Sequence, residues 1–334
     1  MHELYIAALV SFIATFILTP IWMMRASKKG LVGKDMNKKD RPKVAETGGV
    51  AVFAAFVIAM AIVVSSYLQS GNQHALMITL ASMLSISIIT VIAYIDDVSG
   101  WKKGFVRWKK PLITVVAVLP LIPFLLNRLE IYVLGQPIAL PWLFYPIIMV
   151  PIGFIVATNA VNLLGGFNGL EALLGIIGLS TLMWFAQGTE FFPLLLVAVS
   201  GMLAFLWFNR FPSRVFPGDT LTYMVGSLFA VVAVMGNFQS ITILIMAPYI
   251  LEGAIKSREL HYISKNKKIF KPECFGIPDK DNSLKAPYPQ IWSLTHVAMR
   301  IVKRLKGRCF ENDVTILISG VYALWCLGMI WLFG

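Results

Sequence analysis

The stretch SIITVIAYIDDVSGW, residues 87–101, ends a long apolar run on two adjacent carboxylates, Asp96 and Asp97. The run begins near residue 75, giving the ~20 apolar residues that an α-helix needs to cross a bilayer. In a helix the two acids fall at its C-terminal end, where the macrodipole is already negative. Helix electrostatics disfavour that placement, and acids within or abutting a span are as a rule functional.

Working outward, the rest of the chain is of the same kind. Its 334 residues are 57% hydrophobic and 14% charged, with a mean hydropathy of +0.75. A soluble domain of this length carries roughly a quarter charged residues. The reading is an all-α, polytopic membrane protein rather than a barrel of alternating strands. Apolar segments lie at about 4–24, 48–66, 75–95, 111–127, 141–158, 168–186, 191–208, 220–236, 240–257 and 313–333. They predict about ten transmembrane helices in a single domain over 1–334. The first is read as a retained span and not a cleaved leader, because MHELY lacks a basic start. The scattered Cys274, Cys309 and Cys326 suggest neither disulfides nor a zinc site.

The basic residues orient the spans. Connections 25–47, 96–110, 159–167, 209–219 and 256–312 hold 28 of the 29 Lys and Arg, and Arg128 falls on the other side. The positive-inside rule makes those five connections cytoplasmic and puts both termini outside. The net charge of +12 is thereby a topology signal that also favours anionic lipid, and no nucleic-acid partner is expected. Within the loop at about 256–312, residues 289–306 place Ile291, Leu294, Ala298, Ile301, Val302 and Leu305 on one face with Arg and Lys around the rest. That pattern predicts an interfacial helix.

Four of these connections carry polar residues that a loop does not need. The acid pair precedes Lys102, Lys103, Arg107, Lys109 and Lys110. Paired carboxylates either hold a magnesium–phosphate unit or divide the work, one taking a proton and the other orienting it; balancing the nearby lysines is the structural alternative. TNAVNLLGGFNGLE (158–171) sets Asn159 and Asn162 on one helical face. Its glycines permit close backbone approach to a ligand, or simply cap a helix. FNRFPSRVFPGDTLTY (208–223) supplies Arg210, Arg214, the aromatic Phe216, and Asp219. Asp219 is either a metal ligand or the N-cap of the next span. GKDMNKKDRPKVAETGGVAVF (33–53) adds Glu46 before a Gly-Gly span entry.

The ordered set KDMNKKDRPKVAETGG, YIDDV, NAVNLLGGFNGLE and PSRVFPGDT resembles the polyprenyl-phosphate N-acetylhexosamine-1-phosphate transferase family. The likeness runs from about residue 5 to 258 and includes the last span. The glycine block and PSRVFPGDT are similar to the archaeal and eukaryotic branch, which makes lipid-linked N-acetylglucosamine for N-glycosylation. The resemblance implies transfer of a sugar-1-phosphate from a UDP-N-acetylhexosamine to a polyprenyl or dolichyl phosphate. UMP is released, with Mg2+ (or Mn2+ in its place), in the cytoplasmic membrane and on its cytoplasmic face. A homodimer is compatible with it. It implies Asp219 and Asn162 as metal ligands, Asp96 and Asp97 as catalytic acids, and Lys110 on a phosphate. Phe216 corresponds to the aromatic on uracil, Asn168 and Gly166 to the uridine turn, and Glu46 to an acid near the lipid phosphate. Asn159 and Arg214 are added as substrate-binding residues from the same motifs.

The sequence departs from the family in the last cytoplasmic loop. His261 stands alone there, without the histidine-rich or arginine-histidine-arginine cluster of either branch. Arg258, Lys265, Lys267, Lys268 and Lys271 are the cations on hand for a pyrophosphate, and Lys265 and Lys268 are the ones selected as substrate-binding. A transporter using the same acids is the rival from another class, although transporter sites lie near mid-membrane. The motifs of CDP-alcohol transferases and UbiA-like prenyltransferases are missing from the sequence.

Overall fold

The computed structural model describes residues 2–99, 114–128, 130–133, 136–266 and 272–334. The helices are α1 (His2–Lys28), α2 (Gly49–Gln69), α3 (Gln73–Val98), α4 (Val115–Leu125), α5 (Tyr145–Leu163), α6 (Leu170–Phe185), α7 (Phe191–Asn209), α8 (Gly218–Gly236), α9 (Gln239–Ile245), α10 (Ala247–Asn266), α11 (Leu294–Lys306) and α12 (Glu311–Phe333). Among the described residues seven of them are long and apolar enough to cross a membrane, and eight if the bent pair α9 and α10 forms one span. The chain is a polytopic membrane protein.

Among the described residues the expected count of ten spans is not reached on length. In the described part of the segment read at 111–127 lies the short α4 with Pro120 inside it, and the segment read at 168–186 holds the 16-residue α6. Sixteen residues rise ~24 Å, short of the ~30 Å hydrocarbon core. The segment read at 240–257 is bent by 64° between α9 and α10. The all-α description also needs amending. Three short antiparallel hairpins join the helices: β1 (Val32–Lys34) with β2 (Lys43–Ala45), β3 (Glu130–Val133) with β4 (Gln136–Ala139), and β5 (Ile277–Pro278) with β6 (Leu284–Lys285). The helix expected at 289–306 starts only at Leu294, where the Ser293 side chain accepts from the Thr295 amide. Ala298, Met299 and Val302 are buried along it, while Ile301 and Leu305 stay exposed.

One helix positions the site. α8 is the centre of the bundle, buried from Thr220 to Met235, and it packs on α2, α3, α5, α6 and α7. Helices in lipid lack a hydrophobic drive to associate, so small residues that admit a neighbouring backbone set the packing. A Cβ on Gly226 of α8 would lie 2.5 Å from the Thr158 Cα of α5. That contact places the polar end of α5 beside the first turn of α8.

Candidate active site

The first turn of α8 has free amides, as every helix start does. Here the acid pair at the end of α3 answers them. Asp97 Oδ1 accepts from the Asp219 amide at 3.0 Å, and its Oδ2 accepts from the Thr220 amide at 3.0 Å and the Thr220 hydroxyl at 2.7 Å. Gly218 turns the chain over this carboxylate with φ +70°, a backbone that costs an L-residue ~1–2 kcal/mol. A Cβ there would lie 2.5 Å from Asp97 Oδ2. Asp96, one residue earlier on α3, is buried.

α5 supplies the amides. Asn162 Oδ1 accepts from the Thr222 hydroxyl at 3.2 Å, and Asn159 Oδ1 accepts from the Tyr223 hydroxyl at 3.1 Å. Both partners belong to α8, so the spacing of three in α5 is matched by adjacent residues on the helix it crosses. Phe216 is held by its backbone: its amide donates to the Ala45 carbonyl at 2.7 Å and its carbonyl accepts from the Gly48 amide at 2.8 Å. The segment before α8 is thereby fastened alongside the entry to α2, with Val215 paired in parallel to Ala45.

These pieces border one cavity of about 390 Å³. Glu46, Asn162, Gly166, Asn168, Phe216 and Asp219, drawn from three separated connections, all line it. Burial pushes the Glu46 carboxyl above its usual range, and the negative charge of Asp219 adds to the shift. Lys34 is the one cation among the described lining residues. Five carboxylate residues (Asp35, Glu46, Glu171, Asp219 and Glu273) line this space, and so little compensation among the lining residues favours a cation there. Among the described residues no three His, Cys, Asp or Glu side chains gather as a metal cluster. One carboxylate, Asp219, plus the amide oxygen of Asn162 is a donor set of hard oxygens. It suits magnesium, which takes few protein ligands and completes its shell with phosphate and water.

Other expected residues lie elsewhere. Asn159, Asp96, Asp97 and Arg214 are not among the described lining residues. Arg214 is exposed, stacks 4.9 Å from the Phe208 ring centroid and donates to the Trp207 carbonyl. Lys110 and Lys268 lie outside the described residues, and of Lys265 only the helical backbone is described.

Sequence reasoning missed a buried polar knot that holds the glycine loop. Glu311, the first residue of α12, accepts from the Asn168 amide at 2.9 Å, and Asn168 Nδ2 donates to Asp35 at 3.1 Å. Asn37 Nδ2 donates to the Gly166 carbonyl at 2.8 Å while its Oδ1 accepts from the Gly276 amide. Lys38 pairs with both Asp35 and Glu311. Glu171 Oε1 accepts from the Gly166 amide at 2.7 Å and also lines the cavity. Glu171 and Glu311 each open an apolar helix, the same signal that singled out Asp96 and Asp97. Glu273 and Phe275 reach the cavity from the last loop and carry no comparable signal.

The sequence has relatives among known proteins. The model of glycosyl transferase family 4 matches residues 79–237, which include the acid pair, the α5 amides and Asp219. A Bacillus subtilis protein with the provisional name undecaprenyl-phosphate N-acetylglucosaminyl 1-phosphate transferase is 31% identical over 76% of this chain and 69% of its own length. The chain belongs to glycosyl transferase family 4. A Saccharolobus solfataricus member, provisionally named UDP-N-acetylglucosamine–dolichyl-phosphate N-acetylglucosaminephosphotransferase, is 29% identical over 96% of this chain and 93% of its own length. The Saccharomyces cerevisiae protein of that name is 27% identical over 73% of this chain and 64% of its own. Family members with these names are phosphotransferases, and the family model covers Asn162, Gly166, Asn168, Phe216 and Asp219 of the cavity but not Lys34, Glu46 or Glu273.

Proposed function

We propose that this membrane protein transfers N-acetylglucosamine-1-phosphate from UDP-N-acetylglucosamine to a polyprenyl phosphate of the dolichyl type, releasing UMP. This would be the first membrane step in building a lipid-linked glycan. The observation that carries the proposal is the convergence of Asp219, Asn162, Phe216 and the glycine loop on one cavity. The names of the archaeal and yeast relatives support the donor and acceptor.

In this reading the uracil stacks on Phe216 and the diphosphate lies toward Asp219 and Asn162. Magnesium bound by those two oxygens would neutralise the diphosphate as charge develops on the leaving UMP. An oxygen of the lipid phosphate attacks the phosphorus that bears the sugar. The new P–O bond joins lipid and sugar phosphates, and the bond to the UMP oxygen breaks. Lys34 at the cavity edge lowers the repulsion between the two anions. Glu46 lies next to Asp219 electrostatically and stands where the acceptor phosphate arrives. The excess of Lys and Arg on the connections that build the cavity favours a cytoplasmic site, with both termini outside.

The test is purified protein in detergent with polyprenyl phosphate, Mg2+ and a panel of UDP-sugars. UMP should appear with UDP-N-acetylglucosamine and be suppressed by EDTA. Turnover only with the muramoyl-pentapeptide donor, which the name of a Halalkalibacterium halodurans relative indicates for that protein, would move the chain to cell-wall synthesis. No UMP with any donor would reject the proposal.

A further inference from the structure

The acid pair is adjacent in sequence, but the structure gives its second member a task of its own. Every described contact of the Asp97 carboxylate is to the start of α8. Both oxygens are engaged there, by the amides of Asp219 and Thr220 and by the Thr220 hydroxyl. Gly218 closes over Oδ2 with a backbone and a clearance that exclude a side chain. Asp97 is also not among the described residues lining the cavity, whereas Asp219 is. The carboxylate that grips the Asp219 amide is therefore set behind the residue whose own carboxylate faces the cavity.

We propose that Asp97 is a positioning residue: it fixes the first turn of α8 so that the Asp219 carboxylate faces the cavity, and it does not take the proton of the acceptor phosphate. The inference rests on the reading of Asp219 as a metal ligand. A carboxylate at a helix start complements the dipole and its unsatisfied amides. Here that ordinary capping interaction comes from another helix, α3, so it also ties the metal-binding turn to a second element of the bundle. Partners that orient a metal ligand from behind change metal affinity by ~10–100-fold when lost.

The experiment measures Mn2+ binding to purified full-length protein by its paramagnetic signal, with UDP present. In parallel it measures the Mg2+ concentration for half-maximal UMP release. Asp97→Asn places an amide where Thr220 needs an acceptor and should weaken Mn2+ binding at least ~10-fold. The Mg2+ requirement should rise by a similar factor, and turnover should recover as Mg2+ is raised. Thr220→Val removes one donor while keeping the shape, and should shift both values in the same direction by less; Thr220→Ser, which keeps the hydroxyl, should restore them. Arg128→Gln loosens the far end of the same helix and should lower the melting temperature without moving metal affinity, which separates positioning from general destabilisation. If Asp97→Asn binds Mn2+ as the wild type does and turns over slowly at every Mg2+ concentration, the proposal is overturned and Asp97 acts directly. Wild-type protein that binds no Mn2+ also overturns it. Absence of UMP release alone rejects the proposed function, and the Mn2+ comparison still decides this inference.

Discussion

At its N-terminal end α8 receives the Asp97 carboxylate on the amides of Asp219 and Thr220. At its C-terminal end it receives the Arg128 guanidinium on the carbonyls of Val234 and Met235, at 2.6 and 3.3 Å. An acid sits at the positive pole of the helix and a base at the negative pole, so both ends obey one electrostatic rule. What differs is the surroundings. Arg128 lies 5.8 Å from the Tyr145 ring centroid, Tyr145 is itself held by Gln239, and the cavity of about 700 Å³ that Tyr145, Val234 and Gln239 help to line has no acid among its described residues. The other end opens on a cavity lined by acids, and Asp219, whose own amide is capped, lines it with a second carboxylate. Capping alone therefore does not mark a site; capping beside an open, acid-rich space does.

The comparison breaks most sharply at Asp219. Asp219→Ala should abolish UMP release at a stability cost of no more than the ~1 kcal/mol of an acid in a first helical turn, because Asp219 is not the N-cap of α8 and Asp97 answers the free amides there. Near-normal Mg2+-dependent turnover would remove Asp219 from the site and make the two ends equivalent. Next comes Phe216, whose backbone pairing with Ala45 and Gly48 keeps the segment in place without the ring. Losing a base stacked on an aromatic costs ~1–3 kcal/mol, so Phe216→Ala should raise the UDP-sugar KM by roughly 5- to 150-fold. The polyprenyl phosphate KM should change less. An unchanged UDP-sugar KM with a lowered melting temperature would make the ring a packing residue only.

Arg128→Gln tests the end without acids. It should destabilise the protein by about 2 kcal/mol, the upper range for a charge at a helix terminus, and leave the UDP-sugar KM unchanged. A changed KM would show that the two ends are coupled through the helix.

Glu46 gives the smallest effect, and its size depends on pH. Its carboxyl is raised in the folded protein, by burial first and the charge of Asp219 second. A raised group favours the folded state fully below its unfolded value, and that contribution is lost as pH rises through the folded value. In protein free of metal and nucleotide, Glu46→Gln should therefore match or exceed the wild type in melting temperature at neutral pH. The gain should vanish as pH falls below the ordinary carboxylate range. A variant less stable than the wild type at neutral pH would mean that Glu46 is held ionised by a partner.

The sequence alone determined the class, because a membrane leaves an apolar helix visible in one dimension as a run of ~20 residues. It also exposed Asp96, Asp97, Asn162 and Asp219, since acids and amides at the edges of such runs stand out against their surroundings. Only the tertiary structure decided which of them meet. Asp97 and Asp219 are 122 positions apart, and their hydrogen bond depends on how α3 and α8 pack, which no local pattern encodes. Likewise the approach of Thr158 to Gly226 brings the asparagines of α5 to α8. What joins Asp35, Asn37, Asn168 and Glu311 in one buried knot was hidden for the same reason: Asp35 and Asn37 sit in a loop and look solvated in sequence, and only the packing of distant elements reveals that water has been replaced by one another's hydrogen bonds.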